Sequence, residues 1–403
     1  MDLDDDEAKR FQAHDRGANN GGANIHQQIC ESFVKMFGTA TSSAFGAVNR
    51  PSGLFGNTGQ SSNTLGSTIS SAVDLQNPNN DVEVPQPPED TVQALKFNPV
   101  VSGMPILLAA GSWDNACRVW QVQENGTVEP KAVQNIGAAI LSIDWVDDGT
   151  PIKWLLWGNM MNQCAAVIGG GFQLQLLDDW IVGPHSSLLD MRQLPTQNSL
   201  ATIQLPERVY CSDVLFPMAV VGLANRHMKL YNLDGQPQEI SDIESPLKFQ
   251  SKCVSIFQNK LNNRPHGYAL GSIEGRVAVQ YVETANPKDN FTFKCHRSPD
   301  LIQNYQEIYP VNDVAFHPLH NTLATVGGDG RYSFWDKDAR TKLKSSEAMK
   351  MPITKCHIHA SGNIFAYATG YDWSRGHEAS VSGSGSKIFL HACAEDMKGR
   401  PKK

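Results

Sequence analysis

The chain lacks any long apolar run. Its longest, Val100 to Gly111, is broken by Ser102, Gly103 and Pro105, far short of the roughly 20 residues a helix needs to cross a bilayer. No membrane insertion is expected. The opening MDLDDDEAKR is acidic and has no apolar h-region, so no secretory leader is expected. Cysteine pairs are missing as well. Cys30, Cys117, Cys164, Cys211, Cys253, Cys295, Cys356 and Cys393 stand singly, with no CxxC among them. That pattern fits reduced thiols in an intracellular protein and argues against a disulfide or zinc framework. The nearest metal-like string, Cys356-His357-Ile358-His359, alternates like a strand and has no second ligand pair. No metal and no cofactor are expected.

Catalytic signatures are absent too. Gly169-Gly170-Gly171 is not followed by Lys-Ser/Thr, so it is not a phosphate loop, and no GxSxG occurs. His185, His296, His317, His357 and His377 have no nucleophile at a defensible spacing. The chain is not expected to be an enzyme. A catalytic alternative would need acid and base residues converging at one mouth of the fold. Nor is there an excess of positive charge: 34 basic against 41 acidic residues leave a net −7. Any nucleic-acid contact must therefore be a local patch.

What the chain does contain divides into unlike parts. From Met36 to Leu75, 22 of 40 residues are Ser, Thr, Gly or Asn, and only Arg50 and Asp74 are charged. Such a segment cannot bury enough apolar surface to offset its ordering entropy, so residues 36–79 are expected to be disordered. Three Phe-Gly units punctuate it, at Phe37, Phe45 and Phe55. Residues 1–35 read as a separate acidic, unstructured extension, and residues 398–403 as a short basic tail.

Residues 80–397 change to short alternating strands with turn signals. Val314 to Pro318, Thr322 to Val326, Gly328-Asp329-Gly330 and Tyr332 to Asp336 form a unit that recurs from Cys356 to Ala368. No helical period of useful length appears, so the class is all-β. Gly327 and Gly370 end equivalent strands 43 residues apart. A period of about 40–45 with a strand ending in Trp-Asp is the signature of WD-type propeller blades. The length of the body predicts seven blades. Asp81 to Val84 is expected to add the outer strand of the last blade and close the ring, removing an open edge. One region departs from the period. Trp145 and Val214 should stand two blades, or about 84 residues, apart, yet they are 69 apart. Blades around 151–189 are therefore expected to be atypical or truncated.

Longer strings carry a resemblance. They include Ala110-Gly111-Ser112-Trp113-Asp114, Phe216 to Val221, Ile243 to Lys248, Ala269 to Ala278, Lys288 to Arg297 and Phe334 to Lys344. Over 80–150 and 190–403 the sequence resembles the WD-repeat mRNA export factor family, the Rae or Gle proteins. The resemblance implies a propeller adaptor at the nuclear pore, found in nucleus and cytoplasm. Its implied partner is a GLEBS-type segment of a GLFG-repeat nucleoporin, with further roles alongside spindle and mitotic checkpoint proteins. The sister family of checkpoint propellers, which binds checkpoint kinases, is the alternative. The Phe-Gly start and the Trp335 to Lys344 string fit the export factors better.

One segment concentrates charge. Arg331 to Lys344 holds Arg331, Lys337, Arg340, Lys342 and Lys344 against Asp336 and Asp338, a net +3 in an acidic protein. Arg276, Phe293 and Lys294 belong to the preceding blade and are expected beside it. Arg276, Phe293, Lys294, Trp335, Asp336, Lys337, Arg340 and Lys342 are the candidate groove. Bases of single-stranded RNA can stack on its rings while phosphates meet its cations. An acidic peptide with one apolar anchor suits the same chemistry. Against this stands a structural role, in which Trp335 packs between blades and Asp336 supports a turn.

Overall fold

The computed structural model describes residues 77–146 and 201–399, apart from 101, 124, 136, 285, 302–303, 377 and 379–384. Between 147 and 200 it describes 154–159, 164–165, 174–178 and 185–190. The expectations for residues 1–35, for 36–76 and for the last four residues of the tail lie outside the described residues.

The strands form seven antiparallel sheets among the described residues. After β1 (Val82–Glu83), the first sheet runs β2 (Val92–Phe97), β3 (Ile106–Ser112), β4 (Ala116–Val122) and β5 (Val128–Asn135). The second has β6 (Ile140–Val146), β7 (Trp154–Asn159) and β8 (Cys164–Ala165). The third has β9 (Leu174–Asp178), β10 (His185–Asp190) and β11 (Ala201–Gln204). The fourth comprises β12 (Val209–Leu215), β13 (Met218–Leu223), β14 (His227–Asn232) and β15 (Gln238–Glu244). The fifth comprises β16 (Ser251–Gln258), β17 (Pro265–Ser272), β18 (Arg276–Tyr281) and β19 (Phe291–Lys294). The sixth comprises β20 (Val311–Phe316), β21 (Leu323–Gly327), β22 (Tyr332–Asp336) and β23 (Thr341–Ser345). β24 (Ile353–Ile358), β25 (Ile364–Thr369) and β26 (Lys387–Ala392) make the seventh.

The seventh sheet is completed by β1, paired antiparallel to β26 with Val82 opposite Leu390 and Glu83 opposite Phe389. The start of the body thus closes the ring, as its short alternating run predicts. The shortfall of residues also has a place. Only eight residues, 166–173, separate β8 from β9. In the fifth and sixth sheets the corresponding interval, Tyr281 to Leu323, holds two strands. The second and third sheets accordingly show three described strands each.

Alternation along each strand feeds two neighbouring cores. On β22, Tyr332 and Phe334 are buried with Phe365, Tyr367 and Phe389 between the sixth and seventh sheets. Trp335 packs with Val277, Val311 and Leu323 between the fifth and sixth. Each such aromatic contributes about 1.5–3 kcal/mol by leaving water. The innermost strands surround a cavity of about 330 Å³ lined by Lys96, Asp213, Asp313 and Lys355 among others.

Candidate functional site

The turn into β22 shows how Trp335 is held. Its indole Nε1–H donates to Thr325 Oγ1 (3.0 Å), which also meets His296 Nε2 (3.0 Å), and His296 Nδ1 meets Asp329 Oδ1 at 2.8 Å. The imidazole lies so close to Gly327 that a Cβ there would come within 2.5 Å of it. Gly330 turns the chain in the left-handed region, φ +69°, where glycine carries no Cβ penalty. The polar end of Trp335 is therefore committed to the fold, and its ring remains half-buried at the boundary between two sheets.

That boundary is the candidate groove. Across it lies β19, the outer strand of the fifth sheet. Phe291 and Phe293, two residues apart, share one face of β19, and their centroids are 6.1 Å apart. Phe293 meets Trp335 at 4.7 Å with the rings tilted by 47°. Arg340 places its guanidinium 4.5 Å from the Phe291 centroid, and Lys342 its ammonium 5.0 Å from that of Trp335. A cavity of about 290 Å³ opens here, walled by Phe291, Phe293, Leu323, Trp335 and Arg340. Cations over ring faces are attracted by the ring quadrupole, by about 0.5–1 kcal/mol at exposed sites.

The structure brings together Phe293, Trp335, Arg340 and Lys342, and adds Phe291, which the sequence reading missed. The spacing of Phe291 and Phe293 along a strand was the available signal. Arg276 and Lys294 do not join them. Residues 291–294 alternate half-buried and exposed, so Lys294 points away from the phenylalanines. Arg276 is its register partner and pairs with Glu274 at 3.4 Å. It shares a strand face with Ala278, which packs toward the fourth sheet. Period-two alternation thus places both on the wrong side of the fifth sheet.

Lys337 also departs from expectation. It lines the cavity, but its side chain is only 4% exposed and its ammonium bonds Asp338 at 2.6 Å. It lies 4.6 Å over the Phe257 ring. Burial pushes the Asp338 carboxyl up, but hydrogen bonds from Lys337 and Lys260 outweigh it and hold the group below its ordinary range. Asp336 is buried, and its Oδ1 accepts from the backbone N–H of Asp338 and Ala339, both at 2.9 Å. It supports the turn, as the structural reading of that residue holds. The other bases of the run are spent as well. Arg331 donates to Ser346 O at 2.5 Å and approaches Glu347, and Lys344 pairs with Asp396 at 2.5 Å. Arg340 and Lys342 are the two whose charge stands over groove rings.

Arg340 sits at φ +56° in the turn between β22 and β23 and donates to Lys288 O across the groove. A left-handed conformation is uncommon outside glycine, asparagine and aspartate. The sequence retains a long cation where glycine would be easier, and that cation caps Phe291.

The seven antiparallel sheets among the described residues, with an outer strand supplied by the opposite end of the body, define a WD-repeat β-propeller. A WD domain, G-beta repeat profile matches residues 291–336, the stretch that holds the groove. The chain is 52% identical over 375 residues to the mRNA export factor rae-1 of Caenorhabditis elegans, spanning 87% of this chain and 100% of that protein. It is 48% identical over 336 residues to Protein Rae1 of Drosophila melanogaster, spanning 80% and 96%. To the mRNA export factor of Danio rerio it is 46% identical over 370 residues, spanning 87% and 100%. The chain belongs to the WD-repeat mRNA export factor family.

Proposed function

We propose that this protein is a non-catalytic adaptor in mRNA export, working between nucleus and cytoplasm at the nuclear pore. In this reading the ring binds a GLEBS-type segment of a GLFG-repeat nucleoporin, and the groove beside Trp335 contacts single-stranded RNA. The names of its relatives support the export role. The observation that carries the RNA contact is the geometry at Phe291, Phe293 and Trp335. An aromatic-walled cavity large enough for one base is flanked by two cations, Arg340 and Lys342. Stacking draws any base to such a wall, because every base has a π-face. The cations then meet the phosphates on either side without reading sequence. Spindle and checkpoint partners belong to the same family-based reading.

The test is titration with a twelve-nucleotide oligouridylate at two salt concentrations, beside a pulldown with a GLEBS-type peptide. Arg340→Ala combined with Lys342→Ala should weaken RNA binding and make the salt slope shallower by roughly 1.4, about 0.7 for each phosphate no longer neutralised. Phe293→Ala should cost about 1–3 kcal/mol of RNA affinity. Peptide capture should survive both changes. An unaltered salt slope in a folded double variant would move RNA off this groove.

A further inference from the structure

We propose that the chain's own acidic start, Met1 to Glu7, docks into the groove between β19 and β22–β23. The proposal rests on the ligand reading of that groove and assigns it an intramolecular occupant. Three observations carry it.

The first is complementarity. The cavity wall is largely apolar, with Phe291, Phe293, Leu323 and Trp335; its buried charges, Asp336 and Lys337, are committed to the turn and to Asp338, while Arg340 lines it and Lys342 stands over the Trp335 ring. MDLDDDE carries five acids and two apolar side chains in seven residues, and no base before Lys9. Leu3 is an apolar anchor flanked by Asp2 and Asp4. An apolar plug inside a ring of carboxylates is the mirror image of an apolar hole inside a cationic rim. The Phe-Gly units offer anchors too, but residues 36–75 have only Arg50 and Asp74 as charges, so no electrostatic attraction guides them to the rim.

The second is the place where the described chain begins. The side chain of Asn79 accepts from the backbone N–H of Glu347 (2.9 Å) and donates to its carbonyl (3.4 Å). Glu347 lies two residues beyond β23, the strand that carries Lys342. Five residues of extended strand cover at most about 17 Å. The described chain therefore begins beside the sixth sheet, at its boundary with the seventh, one sheet's thickness from the groove on its other face.

The third is reach. About 70 residues lie between Glu7 and Asn77, and a flexible chain of that length has an r.m.s. span of roughly 46 Å. The tether is long enough to bring Leu3 back to Trp335. A segment with an intrinsic affinity of about 100 μM, held at about 1 mM effective concentration, occupies the groove roughly 10:1. A competing ligand then binds roughly tenfold more weakly.

The experiment uses the full chain. Leu3→p-benzoylphenylalanine supplies a photo-crosslinker at the anchor, and mass spectrometry maps the adducts. Crosslinks should fall on residues 291–293 or 335–342, independent of protein concentration. They should fade in Arg340→Ala/Lys342→Ala and at about 1 M salt, where the Debye length shrinks to about 3 Å. In a second arm the oligouridylate is titrated against wild type and Asp2→Asn/Asp4→Asn/Asp5→Asn/Asp6→Asn/Glu7→Gln. The neutralised chain should bind roughly tenfold more tightly. Adducts elsewhere on the ring, or none, overturn the proposal. So does an unchanged oligouridylate affinity in a chain whose binding depends on Arg340 and Lys342. If neither chain binds oligouridylate, the RNA reading of the groove fails, and the crosslink map alone decides whether Met1 to Glu7 docks there.

Discussion

Ring closure rests on a buried ionic cluster, and Asp81→Asn is the change that isolates it. Asp81 lies just ahead of β1. Its Oδ1 is 2.6 Å from His391 Nδ1 on β26, and its Oδ2 accepts from Tyr367 O–H at 2.7 Å. The other imidazole nitrogen meets Asp396 Oδ2 at 2.8 Å, and Asp396 also accepts from Lys344. The Tyr332 ring lies beside the imidazole, with centroids 5.3 Å apart. Burial alone would push the His391 pKa down, but hydrogen bonds to Asp396 and Asp81 outweigh it and raise the pKa above its ordinary value. A group whose folded pKa is raised adds stability in full below its unfolded pKa, about 6.5. That stability is lost as pH climbs through the folded pKa.

Removing one partner of a buried charge typically costs about 3–5 kcal/mol. Asp396 remains on the far nitrogen, so we expect Asp81→Asn to cost less, about 2–3 kcal/mol near pH 6. The gap should narrow at a second, higher pH, above the raised folded pKa, as wild type itself loses the imidazolium. Burial lowers the pKa of His317, of His357 (to about 3) and of His359. These three oppose the trend, since their contribution grows as pH rises toward about 6.5. They are common to both chains, so the difference between urea unfolding curves at the two pH values removes them. A gap that stays constant or widens with pH would refute the assignment of His391 as a cation held by Asp81.

Trp335→Phe keeps the ring face but deletes the N–H that Thr325 accepts; it should lower stability by about 1–3 kcal/mol while leaving oligouridylate affinity within about twofold, read by urea unfolding and titration. Arg340→Gly relieves the left-handed backbone, so its unfolding free energy should not fall by more than about 1 kcal/mol, whereas RNA affinity should drop at least as far as in Arg340→Ala; a collapsed fold would mean the Lys288 contact is structural. Deleting residues 1–76 should cost no more than the docked start contributes, about 1.4 kcal/mol for a roughly 10:1 occupancy. Deleting 1–84 removes the β1 pairing and buried Val84, worth about 1.5–3 kcal/mol by burial alone, and coincident curves for the two truncations would contradict closure by β1.

Most of the architecture was legible because it depends on short-range pattern. Alternation marked the strands, and Gly327 and Gly370 marked the period. The lone alternating run Asp81 to Val84, with no partner of its own, pointed to closure. The 69-residue interval from Trp145 to Val214 located the irregular sheets, because a repeat fixes how much chain each blade consumes. The groove was legible only in part. Counting charges over Arg331 to Lys344 singled out a segment that borders the cavity but could not say which charges are spent. That depends on partners outside the segment, such as Glu347 and Asp396, which the charge count does not include.

Face assignment is the step that separates the residues recovered from those misplaced. Phe293, and with it the overlooked Phe291, can be placed at the groove only once one knows which face of β19 meets the sixth sheet. The same knowledge moves Lys294 and Arg276 away from it. Cys295 and Val277 held that information in advance. Both are apolar, and the strand that carries Val277 alternates with Ala278, so one parity had to serve each neighbouring core. Two parities were open, and a resemblance over a string of residues does not choose between them. The register does, because Arg276 opposite Lys294 fixes every residue between them. A one-residue slip in that pairing would exchange Phe293 for Lys294 at the Trp335 ring and abolish the aromatic wall. The site is therefore specified less by its charged residues than by the pairing of β18 with β19, to which Val277 and Phe293 both contribute by packing against the sixth sheet.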